Sequence, residues 1–407
     1  MRPIFFSALL SLVVGTPVSR GETLPPWTPG TLDIHQIATG RGNSTLIIGP
    51  DGTSIMIDAG ATNTALLASS PPRPDGSRRP GEWIGRYALR QLRPTGRAEL
   101  DYFVVTHFHA DHIGDVGANT PVSPAGSYLL TGVSDVAALV PIGTLIDRGY
   151  PDYGYPAPPQ AGATSNYLAF VQWRQSQGAA GEQLHPGRAD QIVLRHDAAA
   201  YRTFAVRNLA ANAYVWAGTG DAAQTAIPLP QKSATAAHSD ENMCSIALRL
   251  SYGKFDYFTG GDMACDTFEG TEPWRDVETP VARAAGPVEV AVANHHGYFD
   301  AVGSGAVRAL QPLVWVVPAW HVTHPGIAQL ERMLSERVYP GPRNVFITNL
   351  TPAAALLNER FLPRVSSTEG HIVVRVAPGG ESFQVFVTDD ADESDTIKKV
   401  FGPYQCR

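Results

Sequence analysis

Short apolar runs separated by turns rich in glycine and proline recur along the chain and predict a fold rich in strands. The segment LDIHQIATGRGNSTLIIGPDGTSIMIDAG reads as three strands, joined by a Gly-rich turn and a Pro-Asp-Gly turn. A plain hairpin that turns at Tyr252-Gly253 is predicted for MCSIALRLSYGKFDYFTGGDM. The same pattern predicts further strands in LDYFVVTHF, QIVLRH, TFAVRNLAANAYVW, VEVAVANHHG, PLVWVVPAWHVTHPG, NVFITN, GHIVVRV and SFQVFVT.

Helical spacing of apolar residues is confined to fewer segments. It predicts helices in EWIGRYALRQLRP, SNYLAFVQWRQSQG and IAQLERMLSERV. We expect residues 118–190 to form a long, largely irregular insertion, because residues 148–163 carry too much proline and glycine for regular structure. Tyr150, Tyr153 and Tyr155 in that stretch either line the entrance to a substrate-binding site or pack on one another at the surface.

No internal repeat or linker divides the chain. We therefore predict one domain over residues 22–390, followed by an acidic and loosely held tail over residues 391–407. Residues 1–21 contain an arginine, an apolar stretch and then small residues, which is typical of a secretory signal peptide. The apolar stretch is well short of the ~20 residues that span a bilayer, and no later segment predicts a transmembrane helix. We expect a secreted or periplasmic protein.

Composition narrows the class of partner. The chain is 43% hydrophobic and 17% charged, which is a globular profile. Its net charge of −7 disfavours a nucleic-acid partner, because binding to a phosphate backbone normally uses many Lys and Arg contacts. The three cysteines form no CxxC motif, and they are either one disulfide with a spare thiol or three inert thiols.

Potential metal ligands follow four of the predicted strands. They are His107, His109, Asp111 and His112 after the first, Asp262 after the second, His295 and His296 after the third, and His321 and His324 after the fourth. Strand ends gathered at one edge of a layered α/β fold are where binding sites form. Imidazole and carboxylate groups are ligands for zinc, manganese or iron.

Local spacing favours two metal ions over one. His107 and His109 lie two residues apart, so they point the same way from an extended segment. Asp111 and His112, just past the bend, can face a second ion, and Asp262 has two oxygens with which to bridge the pair. Two ions ~3.5–4 Å apart share a hydroxide and clamp both oxygens of a hydrolytic displacement. Without cations these buried groups would be costly.

The motifs resemble those of a known superfamily. THFHADHIGD resembles the HxHxDH signature of the metallo-β-lactamase superfamily, MIDAG resembles its strand-end Asp-Gly motif, and YFTGGDM is similar to its Thr-Gly-Asp motif. The resemblance implies a four-layer αβ/βα sandwich with two facing mixed sheets and the metals at one edge. It implies two divalent metal ions, preferably zinc, with manganese or iron as alternatives.

One subgroup is most similar. LDIHQIATGRGNSTLI, ENMCSIALRLSYGKFDYFTGGD, VANHHG and HVTHPG resemble the competence-type DNA-uptake hydrolase domain and the teichoic-acid phosphorylcholine esterases. This implies that one histidine of the 295–296 pair completes the first metal site and that His324 completes the second. We assign His296 to the metal and His295 to the substrate oxyanion or to protonation of the leaving group. Glu241 lies where the lactonase and glyoxalase branches have a histidine.

These inferences predict a dinuclear metal-dependent hydrolase. Its metal-bridging hydroxide, positioned by Asp111, attacks a phosphorus or carbonyl centre. Asp58 is expected to accept a hydrogen bond from a ligating imidazole, although it could instead be a turn residue. The resemblance implies a small-molecule or phosphoester substrate of the phosphodiester type. A lactone, β-lactam or thioester hydrolase of the same fold and a non-catalytic metal-binding module remain alternatives.

Overall fold

The computed structural model describes residues 21–62, 68–155, 162–226, 240–267, 270–271 and 273–407. Except for Gly21, the predicted signal peptide lies outside these ranges, as do residues 156–161 of the predicted insertion. No helix within the described ranges has both the length and the apolar character needed to cross a membrane.

The described chain contains both strands and α-helices. The strands are β1 (Leu32–Gln36), β2 (Thr45–Ile48), β3 (Ser54–Ile57), β4 (Leu100–Val104), β5 (Ile142–Asp147), β6 (Gly181–Gln183), β7 (Phe204–Ala211), β8 (Tyr214–Trp216), β9 (Ala223–Thr225), β10 (Ala247–Tyr252), β11 (Phe255–Thr259), β12 (Val290–Val292), β13 (Val314–Val317), β14 (Asn344–Ile347), β15 (His371–Val376), β16 (Ser382–Thr388) and β17 (Ile397–Gln405). The helices are α1 (Pro80–Leu92), α2 (Ala110–Ile113), α3 (Val133–Leu139), α4 (Ala163–Ser176), α5 (Glu278–Ala285), α6 (Ser304–Leu310), α7 (Ile327–Leu334) and α8 (Pro352–Leu357).

The strands form two mixed sheets. The nine-stranded sheet has the order β17-β16-β15-β1-β2-β3-β4-β5-β6, and the eight-stranded sheet has the order β14-β13-β12-β11-β10-β7-β8-β9. Strands β3 to β6 are parallel in the first sheet, and β11 to β14 are parallel in the second. Parallel strands bring their carboxyl ends to the same edge of a sheet.

Successive side chains of these strands point to opposite faces of their sheet, and they contribute to three separate apolar cores. In β4, Tyr102 and Val104 face a core between the sheets, and they are packed there with residues of β12 such as Val290. Phe103 points the opposite way, into a second core beneath α1, α3 and α4. Ala291 of β12 points into a third core beneath α5, α6 and α7. The predicted αβ/βα sandwich with two facing mixed sheets is therefore confirmed.

Most predicted elements are present. The hairpin at Tyr252-Gly253 is formed by β10 and β11, and Gly253 there has a φ of +60°. The predicted helices correspond to α1, α4 and α7.

The predicted insertion at residues 118–190 is less irregular than expected. It contains β5, which pairs in parallel with both β4 and β6, and it also contains α3. Leu145 and Ile146 of β5 are buried. Proline and glycine flank this short apolar run on both sides, and for that reason the sequence did not predict a strand there.

The strand predicted at QIVLRH is absent, although its burial alternates as expected. Ile192 and Leu194 are buried, but the backbone N–H groups of this segment donate to side chains rather than to a neighbouring strand. Val193 donates to the Tyr102 hydroxyl and Arg195 to Thr53 Oγ1, at 3.1 and 2.7 Å. The apolar pattern predicts which side chains are buried, and not where the hydrogen bonds go.

The prediction of a loosely held tail is wrong. Residues 397–405 form β17, which is antiparallel to β16 at the edge of the nine-stranded sheet. Acidic residues before this strand pair with α1, since Glu393 contacts Arg86 and Asp395 contacts Arg90. Cys244, Cys265 and Cys406 are free thiols, so the disulfide alternative is not realised.

Candidate metal centre

The predicted ligands come from the ends of strands in both sheets. His107 follows β4 of the nine-stranded sheet, and Asp111 and His112 lie on the short helix α2 directly after it. Asp262 follows β11 of the eight-stranded sheet. The next two parallel strands of that sheet, β12 and β13, are followed by the 295–296 pair and by His324. Facing sheet edges thus bring residues separated by about half the chain to one place.

Four of these residues form a compact cluster. Donor atoms of Asp111, His112, Asp262 and His296 all lie within 4.8 Å of one another. His112 Nε2 is 3.1 Å from Asp262 Oδ1, and His296 Nε2 is 3.1 Å from Asp111 Oδ2. The histidines and Asp262 are buried, and Asp111 is partly exposed.

Each imidazole of this cluster is oriented by an acceptor on its outer side. His112 Nδ1 donates to Asp58 Oδ2 at 2.7 Å, and His296 Nδ1 donates to the Pro318 carbonyl oxygen at 2.9 Å. These bonds turn both Nε2 atoms toward the carboxylates. Asp58 also accepts hydrogen bonds from the backbone N–H and the hydroxyl of Thr106, so its contacts agree with the orienting role expected from the sequence.

The electrostatics of the cluster favour a cation at its centre. Burial alone would lower the pKa of His112, but the carboxylates of Asp262, Asp58 and Asp111 raise that pKa well above its usual value. His112 Nε2 is buried and makes no hydrogen bond. A buried nitrogen that lies 3.1 Å from Asp262 Oδ1 without a hydrogen bond of normal geometry fits a metal ligand, because a cation between these groups would satisfy all of them at once.

His107 and His109 lie beside this cluster. His107 Nε2 is 3.1 Å from His109 Nδ1 and 3.7 Å from Asp262 Oδ2. Burial, followed by the charge of His112, lowers the pKa of His107 well below its usual value, so its imidazole is neutral as a metal ligand requires. Asp262 thus faces both the cluster and the His107–His109 pair. Its Oδ1 lies near His112, and its Oδ2 lies near His107 and, at 3.5 Å, near His296 Nε2.

The two histidines of the 295–296 pair have different neighbours. His296 lies with Asp111, in the group assigned to the second ion, whereas the resemblance implied that this pair completes the first site. His295 Nε2 is 3.8 Å from Asp262 Oδ2, and His295 Nδ1 donates to Asp300 Oδ1 at 2.6 Å. Both histidines have positive φ angles, of 48° and 54°, a conformation in which non-glycine residues are uncommon and which often marks functional sites.

His324 lies behind His296. The two rings stack with centroids 4.9 Å apart at an interplanar angle of 16°. His324 Nδ1 is buried without a hydrogen bond, so it too has the character of a ligand, although His324 is outside the group of four. The sequence did not predict Asp300 as a partner of His295, since only its position five residues after His295 connects the two.

Comparison with known proteins gives a family match for one segment of the chain. Residues 38–129, which include the HxHxDH segment, match the model of the Metallo-beta-lactamase superfamily. No curated protein matches the chain. Solved structures of a HARLDQ-motif metallo-β-lactamase from Cronobacter sakazakii and of its motif mutant are similar at 11% identity, with TM-scores of 0.29 and 0.30. They cover 63% of this chain and 76% and 75% of their own, a likeness too small to support any argument about substrate.

Residues 38–129 thus match the Metallo-beta-lactamase superfamily model, and the two facing sheets with a His/Asp cluster at their edge have the arrangement that this resemblance implies.

Proposed function

We propose that the protein is a dinuclear metal-dependent hydrolase that acts on a phosphodiester-type substrate. The observation that supports this most is the continuous set of donors on both sides of Asp262. His107 and His109 would hold one cation and Asp111, His112 and His296 the other. Asp262 would contact both, and His324 lies beside the second. Two divalent cations at such a site, preferably zinc, supply an activated water nucleophile at neutral pH and stabilise the developing negative charge.

The side chains around the donors define the remaining chemistry. Asp111 is the most solvent-accessible member of the compact cluster, and we assign to it the role of accepting a hydrogen bond from the attacking water. His295 presents Nε2 toward the same centre while Asp300 holds its other nitrogen. An imidazole held in this way contacts the substrate oxyanion or donates a proton from Nε2 to the leaving group.

A cavity near α2 with more arginines than acidic residues in its lining favours an anionic substrate over a neutral lactone. It has a volume of about 320 Å³ and is lined by Arg41, Arg78 and Arg79, with Glu82 paired to Arg79. The residue before Thr62 of this lining, Ala61, donates its backbone N–H to the Ala110 carbonyl oxygen of α2 at 3.3 Å. Arginine guanidinium groups match phosphate oxygens in charge and geometry. This local charge contrasts with the net charge of −7 of the whole chain.

The test compares metal content with turnover. Wild-type protein should contain close to two metals per chain by plasma emission and should hydrolyse bis(p-nitrophenyl) phosphate, with turnover lost to a chelator. The Asp262→Ala variant should lose both metal and turnover, because the carboxylate that faces both donor groups is removed. Full activity with two metals retained in the variant would refute the assignment.

Other outcomes separate the alternatives. Two metals with turnover of lactones, β-lactams or thioesters, and no turnover of phosphodiesters, would show that the substrate belongs to one of those other classes. Two metals without turnover on any of these would favour the non-catalytic binding module.

We also propose export to the periplasm or the medium, supported by the composition of residues 1–21. N-terminal sequencing of the mature protein tests it.

A further inference from the structure

A partly buried ion pair lies directly behind the segment that carries His107 and His109. Glu241 Oε1 accepts the backbone N–H of Phe108 at 2.8 Å and Nε of Arg148 at 2.7 Å. Glu241 Oε2 accepts a further bond from Arg148 Nη2. Phe108 is the residue between the two histidines, so one carboxylate holds both the backbone of the ligand segment and the guanidinium group.

Arg148 is fully engaged in holding its surroundings. Its side chain is only 3% exposed. Besides Glu241, it donates to the Tyr155 carbonyl oxygen at 2.8 Å and to Asn212 Oδ1 at 3.2 Å. Its guanidinium carbon lies 4.3 Å from the centre of the Phe108 ring. With these donors already bonded, Arg148 has little capacity to bind a substrate phosphate, and its contacts fix the position of the protein chain instead.

The pair connects three parts of the fold. Glu241 precedes β10, Arg148 follows β5, and Phe108 follows β4. Tyr155 belongs to the tyrosine-containing loop after β5, and that loop is itself anchored because Tyr153 donates to Asp147 Oδ2 at 2.8 Å. A displacement of the loop would therefore be transmitted through Arg148 and Glu241 to the ligand segment.

We propose that Glu241 and Arg148 are positioning residues, which fix the orientation of His107 and His109 before a cation binds and couple that orientation to the loop at residues 149–155. The inference rests on the proposed assignment of these histidines to one cation. Outer contacts of this kind commonly change metal affinity 10- to 100-fold. The effect should fall on the cation at His107 and His109, because Glu241 makes no hydrogen bond to Asp111, His112 or His296.

Two substitutions of Glu241 distinguish its functions. Glu241→Gln keeps an oxygen that accepts the Phe108 N–H but removes the charge paired with Arg148. Glu241→Ala removes both interactions. We expect Glu241→Ala to weaken one of the two cations about 10- to 100-fold and Glu241→Gln to weaken it less, measured by chelator competition with zinc. The visible absorption of the cobalt-substituted protein should change in the same order. Arg188→Ala, which breaks a surface pair with Asp190, is the matched control and should change neither.

The outcomes separate this inference from the proposed function. If the wild type binds two cations and both Glu241 variants bind them with unchanged affinity and cobalt spectrum, the positioning role is refuted and the hydrolase proposal stands. If His107→Ala in the wild-type background leaves the metal stoichiometry unchanged, the assignment beneath both proposals fails. Should Glu241→Ala not fold, the nearly isosteric Glu241→Gln carries the test, and unchanged affinity and spectrum in that variant refute the inference.

Discussion

At the scale of single residues, the site is defined by what holds each imidazole from behind. His112 donates to a carboxylate, His296 to a backbone carbonyl and His295 to the carboxylate of Asp300. In each case Nδ1 is occupied and Nε2 faces the centre. The sequence predicts the histidines themselves, because they follow strand ends. It does not predict Asp300, since the acceptor becomes a neighbour only through the tight turn at residues 294–297.

His295 provides a prediction that separates a substrate-facing role from metal binding. In the His295→Ala variant we expect two metals per chain and a fall in turnover of about 10²–10⁴-fold, the range usual for loss of a positioned acid or base. Metal analysis and the rate on bis(p-nitrophenyl) phosphate measure the two effects. His185→Ala, at an exposed position outside the cluster, is the control. A drop to one metal per chain would instead make His295 a ligand of the first cation.

At the scale of elements, the predictions succeeded where the apolar pattern and the hydrogen bonds agree. The hairpin of β10 and β11 was predicted because two apolar runs flank a Gly turn that is too short for any other connection. The apolar pattern gave a wrong strand at residues 191–196, where burial alternates without strand pairing. The acidic residues of the tail gave the wrong prediction of a loosely held segment. That tail is ordered because its acidic residues pair with arginines of α1. These contacts join residues far apart in the sequence, so the local pattern does not predict them.

The tail strand should therefore contribute to stability. Phe401 of β17 is buried, and its ring lies 4.9 Å from that of Phe346 in the facing sheet. We expect Phe401→Ala to lower the free energy of unfolding by about 3–5 kcal/mol, measured by urea denaturation. Gln405→Ala, at an exposed position of the same strand, should stay within about 0.5 kcal/mol of the wild type. Equal stability of the two variants would mean that β17 is not part of the packed core.

At the scale of the whole molecule, the site exists only where two sheets meet. The Ile246 N–H donates to the Thr106 carbonyl oxygen at 3.0 Å, which joins the strand that leads to His107 to the sheet that carries Asp262. The sequence predicted the fold class and the strand ends, because those depend on local pattern and on the superfamily motifs. It did not predict that His296 lies beside Asp111, because that contact depends on how one sheet is placed over the other.

Folding of the whole chain should also be sensitive to acid, for a reason remote from the metal centre. His371 begins β15, is buried, and accepts the Ala38 N–H at Nδ1 at 3.0 Å. Burial, followed by the nearby positive charge of Arg90, lowers its pKa to about 3 from 6.5. Between these two values the unfolded chain binds a proton that the folded chain does not. The histidine's contribution to stability is therefore complete above pH 6.5 and is lost as the pH falls toward 3.

This linkage predicts a loss of about 2 kcal/mol from His371 alone between pH 7 and pH 5. His371→Asn offers the test, because the amide oxygen can accept the same Ala38 N–H but does not titrate. Urea denaturation of the metal-loaded wild type and variant at both pH values should show a smaller acid-induced loss in the variant, by about the same 2 kcal/mol. Other groups, including the metal ligands, titrate in both proteins and cancel in the comparison. Identical losses in the two proteins would show that His371 takes up a proton in the folded state near its ordinary pKa, and that acid sensitivity arises elsewhere.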